Sequence, residues 1–353
     1  LNATETRLDG YEGVYFYFHE RALTPFAHCA EALASGLARL GVPVYSNLVV
    51  PALFQTRSVH ERGPWLYVFV LTNEQCGPDY LRLVEQFDGP RLILSMSDAN
   101  NTIFPPAGVP ALMTHESRWL QMAGRRIPWA FGLSPQVEAL TAEVPPFEAR
   151  EAVILRNFRP SLRQGVRNAL DLALLPHLKA RYRVDETLSS DNAPAVKHHH
   201  HHDYFERLKH SFGCLAYGGE FFSNLLKHKE FRDPRHEAIF SHYTFVHDPV
   251  ILRWDSWRLW ESLAAGCLTF MLDVEQYGFA LPVAPQPWRH YVPVDFARPA
   301  ECVERLADEP ALAAAIAAAG REWVRAEYGC EAVARRFLGV VAELRGVGEL
   351  ASA

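Results

Sequence analysis

Gly13-Val14-Tyr15-Phe16-Tyr17-Phe18 is a continuous run of apolar, β-branched and aromatic residues, the pattern of a strand buried on both faces. Thr24-Pro25 follows as a cap with proline in the first turn. Phe26, Cys29, Ala30, Leu33, Leu37 and Leu40 then recur at offsets that draw one stripe along a helix. Gly41 closes that helix, and Val42-Pro43-Val44-Tyr45 resumes as a second strand. Strand, helix and strand in this order predict a parallel sheet with crossover helices.

The rhythm continues with strands at Trp65–Leu71, Arg91–Leu94 and Val109–Met113 and a helix at Asp79–Phe87. Between Ser134 and Arg150 it lapses into Pro135, Pro145, Pro146 and isolated acids, which reads as a linker. A second alternation then begins. Ala152–Leu155, Phe212–Ala216 and Cys267–Leu272 are its strands, and Ser161–Leu175 is its first helix. Three short helices are expected at Ala300–Ala307, Ala311–Ala319 and Gly320–Glu327, with Gly320 as the last break. Val333, Phe337, Val340, Val341 and Leu344 then share one face of a closing amphipathic helix. The α/β reading is two Rossmann-like domains, residues 1–147 and 148–330, with the amphipathic helix over 331–353.

A length of 353 residues suits two ordinary domains. Forty-one acidic residues against 35 basic ones, a net charge of -6, argue against a nucleic-acid partner, because Lys and Arg contacts to phosphate supply most of that affinity. No apolar stretch approaches the ~20 residues that cross a bilayer. Leu1–Glu5 lacks the basic end and apolar core of a signal peptide, although the missing Met implies a trimmed start, and a cytoplasmic location is expected from the cysteines. Six cysteines without a CxxC pair are expected reduced, most of them in apolar surroundings. The run His198–His202 has the composition of a metal tract, but consecutive histidines point in different directions, so an exposed loop without metal is the expectation.

A dinucleotide enzyme would place GxGxxG where the first strand meets the first helix. Here the junction is His19-Glu20-Arg21-Ala22-Leu23-Thr24-Pro25, with no glycine, and no GxxxxGK[ST] loop occurs elsewhere. Strand ends therefore carry titratable side chains in place of bare backbone. His19, Glu20, Asp98 and His115 are expected on the C-terminal rim of the first sheet, a catalytic or acceptor edge.

Asp255-Ser256-Trp257-Arg258-Leu259-Trp260-Glu261-Ser262-Leu263-Ala264-Ala265-Gly266 carries most of the chemistry. Asp255 or Ser256 is expected to cap a helix that turns Trp257, Trp260, Leu263 and Ala264 to the core and sets Arg258 and Glu261 together on the other side. A helix N-terminus receives anions, and a carboxylate a turn or two inside accepts two ribose hydroxyls. The other reading of Glu261 is an exposed carboxylate paired with Arg258.

Arg258-Leu-Trp-Glu261-Ser-Leu-Ala-Ala-Gly266-Cys267 resembles the donor-site signature R-x-x-E-A-L-A-A-G-C of glycosyltransferases with the GT-B fold, exostosin-like members among them. Tyr204–Gly219 resembles the element that precedes this helix in the same group, and Asp273–Pro282 and Pro287–Tyr291 are similar to bacterial relatives. The resemblance implies two Rossmann-like domains facing across a cleft, the second holding a nucleotide-diphosphate sugar and the first supplying the acceptor side. It implies transfer of a hexosyl or related sugar to a hydroxyl of a glycan, glycoconjugate or small molecule, with no metal or other cofactor required. Glu261 would then bind the ribose, with Arg258, Ser256, Gly218 and Gly219 around the donor. Arg156 and Arg163, in a basic set with Arg159 and Arg167 at a strand end and the following helix, would meet the diphosphate. If the reaction inverts the anomeric centre, Glu20 or Asp98 is the expected base, with His19 beside them.

Two departures qualify the resemblance. Many retaining members carry an acid eight residues before this Glu, near the transferred sugar, and that position is Arg253 here. The glycines and the signature helix are also separated by an insertion, residues 220–254, which reads as a lid, an acceptor wall or decoration. A catalytically silent module that binds nucleotide or glycan, and a sugar-nucleotide epimerase on the same fold, are the alternatives.

Overall fold

The computed structural model describes residues 8, 10–18, 28–47, 55–56, 63–71, 78–96, 104–122, 124–158, 165–187, 202–224 and 237–350. Two compact units divide the chain, one of residues Leu1–Thr114, Met122–Pro135 and Glu327–Ala353, the other of His115–Gln121 and Gln136–Ala326.

In chain order the first stretch forms β1 (Gly13–Phe18), α1 (His28–Arg39), β2 (Val44–Ser46), β3 (Gln55–Thr56), β4 (Trp65–Leu71), α2 (Pro78–Gln86), β5 (Arg91–Ser95) and β6 (Ala111–Met113). After a short excursion that holds β7 (Leu120–Gln121), β8 (Arg126–Pro128) completes the sheet. Its spatial order is β3-β2-β1-β4-β5-β6-β8, with every pairing parallel. The order reverses at β1, which pairs β4 from Gly13 opposite Trp65 to Phe18 opposite Val70. Alternation sends Tyr15, Tyr67, Phe69, Leu71 and Ile93 to one face, where they pack with Tyr80 and Val84 from α2 and with Phe87 just after it. Rings there meet tilted or edge-on, Tyr67 and Phe87 at 4.6 Å and Phe69 and Phe87 at 5.2 Å, the geometry that the ring quadrupole favours.

The second unit opens after α3 (Pro135–Leu140) with β9 (Glu151–Leu155), α4 (Gly165–Ala173), α5 (Leu175–Lys179), β10 (Arg183–Asp185), α6 (His202–His210) and β11 (Ser211–Leu215). It continues through β12 (Glu220–Phe222), α7 (Glu237–His242), β13 (Thr244–Phe245), β14 (Val250–Leu252), α8 (Trp257–Ala264), β15 (Leu268–Leu272), β16 (Val292–Val294) and α9 (Glu301–Asp308). Its main sheet runs β10-β9-β11-β15-β16, again all parallel. β12 and β14 form a separate antiparallel ribbon, so part of the 220–254 insertion is a folded hairpin-like arm. β13 pairs with β7.

Two expectations are corrected, the break at Gly320 and the extent of the helix at 161–175, and two others gain detail. Gly320 does not end a helix: α10 (Pro310–Tyr328) runs through it without a break. A β-carbon there would stand 2.3 Å from the His290 carbonyl oxygen, so the glycine serves close packing and not termination. His115 follows the C-terminal end of β6, where the Thr114 N–H still donates to the Ser95 carbonyl, as expected, and it opens the 115–121 excursion, which groups with the second unit and pairs there through β7 and β13. The Ser134–Arg150 stretch, read as an interdomain linker, holds the division between the two units after Pro135; it also contains α3 and is fastened by arginines. Arg150 donates to the carbonyls of Pro145 and Ala265, and Arg321 to those of Ala264, Thr141 and Ala142, so guanidiniums satisfy the unpaired carbonyls at the ends of α8 and α3. Burial lowers the pKa of both arginines. The predicted helix 161–175 is described only from Gly165 and gives way to α5 after Ala173.

The closing helix α11 (Cys330–Gly346) lies along α1 within the first unit. Cys214, Cys267, Cys302 and Cys330 are buried and free, and burial pushes the Cys267 and Cys302 thiols to about 12. Cys76 and the side chain of Cys29 lie outside the described residues. No helix among the described residues is long and apolar enough to cross a membrane.

Candidate functional site

Open parallel sheets receive ligands beyond their C-terminal strand ends, where the strand order reverses. In the second unit that point lies between β9 and β11. Arg156-Asn157-Phe158 leaves β9 there, and Ala216-Tyr217-Gly218-Gly219 leaves β11.

Phe158 is fully buried, with the Tyr217 ring edge-on at 5.4 Å. The guanidiniums of Arg156, Arg167 and Arg258 stand 4.5, 5.3 and 5.8 Å from its ring centroid. Arg156 is engaged as a fork: its Nε donates to Asp171 Oδ1 at 3.0 Å and its Nη2 to Asp171 Oδ2. The hydrogen bond that Arg156 donates to Asp171 raises its pKa despite burial. Arg258 is tethered more lightly, its Nε donating to the Asn157 carbonyl at 2.6 Å, while its two terminal nitrogens make no hydrogen bond among the described residues. Three cations therefore gather at one strand end, and one of them, Arg258, keeps its donor tips available.

Ser256 takes the N-cap position of α8 in an extended conformation, but its hydroxyl makes no capping bond. Asp255 is occupied differently: its Oδ1 accepts from Trp260 Nε1 at 2.7 Å and its backbone N–H donates to His115 Nδ1 at 3.0 Å. His115 and Arg253 both hold left-handed backbone, with φ of 60° and 56°. Such conformations cost ~1–3 kcal/mol each in a residue with a β-carbon, and they gather here on either side of the helix start.

Glu261 is 4% exposed, and its Oε2 accepts from the Tyr204 hydroxyl at 3.0 Å. The expected face is thus corrected: Leu259, Trp260, Ser262, Leu263 and Ala264 are buried as well, so α8 is covered along most of its length, and the half-exposed residues are Trp257 and Arg258 in its first turn. Glu261 forms no ion pair with Arg258. Burial, reinforced by the Glu261 charge, pushes the Tyr204 phenol well above its usual range, which keeps it a donor to the carboxylate.

Gly219 has φ 125°, and a β-carbon on it would stand 2.7 Å from Ile251 Cγ2 and 3.0 Å from the Leu252 oxygen. Its carbonyl accepts from the Val166 N–H at 3.2 Å, tying the β11 end to the start of α4. Glu220 follows, and its carboxylate meets Arg253 Nη1 at 3.4 Å.

The structure thus gathers Arg156, Gly218, Gly219, Ser256, Arg258 and Glu261 of the predicted donor set on one rim. His19, Glu20, Asp98 and Arg163 lie outside the described residues, as does His198–His201. Asp171, Phe158, Tyr204 and Glu220 were not assigned roles from sequence. Tyr204 precedes Glu261 by 57 positions, and no local spacing announces that bond. Among the described residues no three His, Cys, Asp or Glu side chains gather as metal ligands would. A cavity of about 300 Å³ opens elsewhere, lined by Glu151, Arg183 and Ser211 at strand starts and crossed by the Arg183–Glu151 and Arg207–Asp185 pairs.

Against known proteins, residues 198–339 match a family described as "Glycosyl transferase-like". Sucrose-phosphate synthase from Thermosynechococcus elongatus superposes with a TM-score of 0.50 at 14% identity, covering 95% of this chain and 100% of that one. The fold is GT-B. A glycosyltransferase from Rickettsia africae (TM-score 0.46, 11% identity, 95% and 99% coverage) and HepE from Anabaena in complex with UDP-glucose (0.42, 12%, 95% and 99%) are more distant matches. No curated protein matches the chain by sequence.

Proposed function

We propose that this GT-B chain is a glycosyltransferase that binds a nucleotide-diphosphate sugar at the C-terminal rim of its second sheet and passes the sugar, hexosyl or related, to a hydroxyl of a glycan or small molecule. One observation carries the reading: within the glycosyl transferase-like segment, α8 sets the buried Glu261 carboxylate, held by Tyr204, one turn from Arg258 and its available donor tips. The carboxylate accepts the ribose hydroxyls. Arg258, with Arg167 and the amide end of α8, meets the diphosphate and stabilises it as it leaves. These groups supply the positive charge, so the reading calls for no metal. Arg156, whose fork is engaged by Asp171, serves as support beneath Phe158 in place of the direct phosphate contact expected from sequence. Gly218 and Gly219 let the donor approach the backbone, and Ser256 offers its hydroxyl beside the diphosphate. Glu20 or Asp98, with His19, supplies the base of an inverting reaction.

Thermal unfolding with a panel of sugar nucleotides tests the site. A ligand at 100 times its Kd stabilises by ~2.7 kcal/mol, which is a shift of several degrees for a unit of this size. Wild type is expected to shift with at least one sugar nucleotide and Glu261→Ala to lose that shift. A panel without effect on wild type, or a shift that survives in the variant, overturns the donor site. Binding without diphosphate release in the presence of acceptors marks a silent module, and isomerised donor without transfer marks an epimerase.

A further inference from the structure

Glu220 and Arg253 face each other at the mouth of the β12–β14 ribbon, whose register sets Glu220 opposite Leu252. Their side chains are 15% and 12% exposed, and Arg253 Nη1 lies 3.4 Å from the carboxylate. Holding two charges away from water is costly unless they are fixed by one another, and Arg253 adds a strained backbone at φ 56°. On the other side, Gly219 leaves no room for a side chain, so the backbone that delivers Glu220 to the rim is closely confined. The arginine at position 253, one residue past the position opposite Glu220, therefore comes with an acid on the facing strand.

The order of groups along the chain matches the order of groups along a nucleotide sugar. Glu261 lies inside α8, Arg258 in its first turn, and Arg253 precedes the Ser256 cap position. With ribose at Glu261 and diphosphate at the helix start, the sugar falls on the side of Arg253 and Glu220. We propose that Glu220 selects the transferred sugar, its carboxylate accepting hydrogen bonds from ring hydroxyls, and that Arg253 is a positioning residue that holds the carboxylate in place. An ionised carboxylate is an acceptor-only group with two oxygens, suited to a pair of neighbouring hydroxyls and unable to bond their deoxygenated or wrongly oriented counterparts. The inference rests on the donor-site reading above.

Calorimetric titration of the full chain separates the two. The probes are uridine and guanosine diphosphate and their glucose, galactose and mannose esters, applied to wild type, Glu220→Gln, Arg253→Met and Arg253→Lys. Wild type is expected to discriminate among the esters of its preferred base by about 10- to 100-fold, the scale of hydrogen bonds to a charged group. Glu220→Gln and Arg253→Met are expected to compress that ratio to about 3-fold or less, and Arg253→Lys to restore most of it. The free nucleoside diphosphate should bind all four proteins within about 2-fold, which also shows that the variants are folded. An ester ratio unchanged in Glu220→Gln, equal losses for diphosphate and esters, or a wild type without preference overturns the assignment of Glu220. If wild type binds no member of the panel, the donor site itself falls, and this proposal with it.

Discussion

The two sheets share a parallel architecture, yet their C-terminal rims are finished with different chemistry. In the second unit the strand ends are fastened by ions: Arg156 by Asp171, Glu220 by Arg253, and the Glu261 carboxylate by Tyr204. In the first unit the end of β1 is fastened by neutral groups. Asn47 accepts from the Phe18 N–H and donates to the Phe18 carbonyl, extending the β1–β2 ladder by one side-chain rung. The Tyr80 hydroxyl lies between the carbonyls of Tyr17 and Val70 as donor to both strand ends. Buried ion pairs add little net stability over apolar packing of the same volume. Among the described residues such pairs therefore stand at the second rim, where the proposed donor site calls for a fixed arrangement of charge.

Removing one member of an ion pair is the most damaging way to test that contrast. Asp171→Ala leaves the Arg156 guanidinium, 10% exposed, without its fork partner. The expected loss is ~3–5 kcal/mol in urea unfolding, together with weakened nucleotide binding. A loss under about 1 kcal/mol would show that the pair does not hold the strand end. Gly219→Ala comes next. It forces a β-carbon into left-handed backbone and against Ile251, which costs ~2–4 kcal/mol and displaces Glu220. Nucleotide-sugar affinity should fall with it.

On the neutral rim, Asn47→Ala strips two backbone groups of Phe18 of their partner. Its cost is ~1–3 kcal/mol, with nucleotide affinity unchanged. A drop in nucleotide affinity as large as that of Gly219→Ala would erase the distinction between the rims.

Much of this division was legible from residues. Continuous apolar runs such as Gly13–Phe18 and the caps around them marked the strands and helices, because burial on both faces leaves an unbroken apolar signature. The R-x-x-E spacing from Arg258 to Glu261 and the glycine pair marked the rim where the donor is proposed to bind. What failed was the assignment of faces and partners. Glu261 was expected on an open face, yet Tyr204 and the surrounding core cover it, a contact made through folding across 57 residues. Gly320 was read as punctuation because sequence carries no sign of the His290 backbone beside it. The strand end that carries His115 is legible, but its bond to Asp255 spans 140 positions and no local spacing announces it. Local pattern reports periodicity and propensity, and it is silent about which distant element comes to lie alongside.

The smallest expected effect concerns the far edge of the charged rim, where Asp295 follows β16. Its carboxylate accepts from the Ala297 N–H at 2.9 Å, Gln276 Nε2 at 3.0 Å and the Tyr277 hydroxyl at 3.1 Å, with Arg298 alongside at 3.5 Å. Burial alone would raise its pKa, but these donors outweigh it and hold the group below the usual aspartate value. A carboxylate depressed in the folded state stabilises above its unfolded pKa of ~3.9, and the contribution is lost as the pH falls through the folded value. Asp295→Asn should therefore cost ~1 kcal/mol in urea unfolding at neutral pH and progressively less below pH ~4, where wild type gives up the same contribution. Because Asp295 is set apart from the switch point between β9 and β11, nucleotide affinity should stay within about 2-fold. A deficit that persists unchanged at low pH would mean that Asp295 acts through packing and not through its charge, and the ionic character of the rim would then end short of β16.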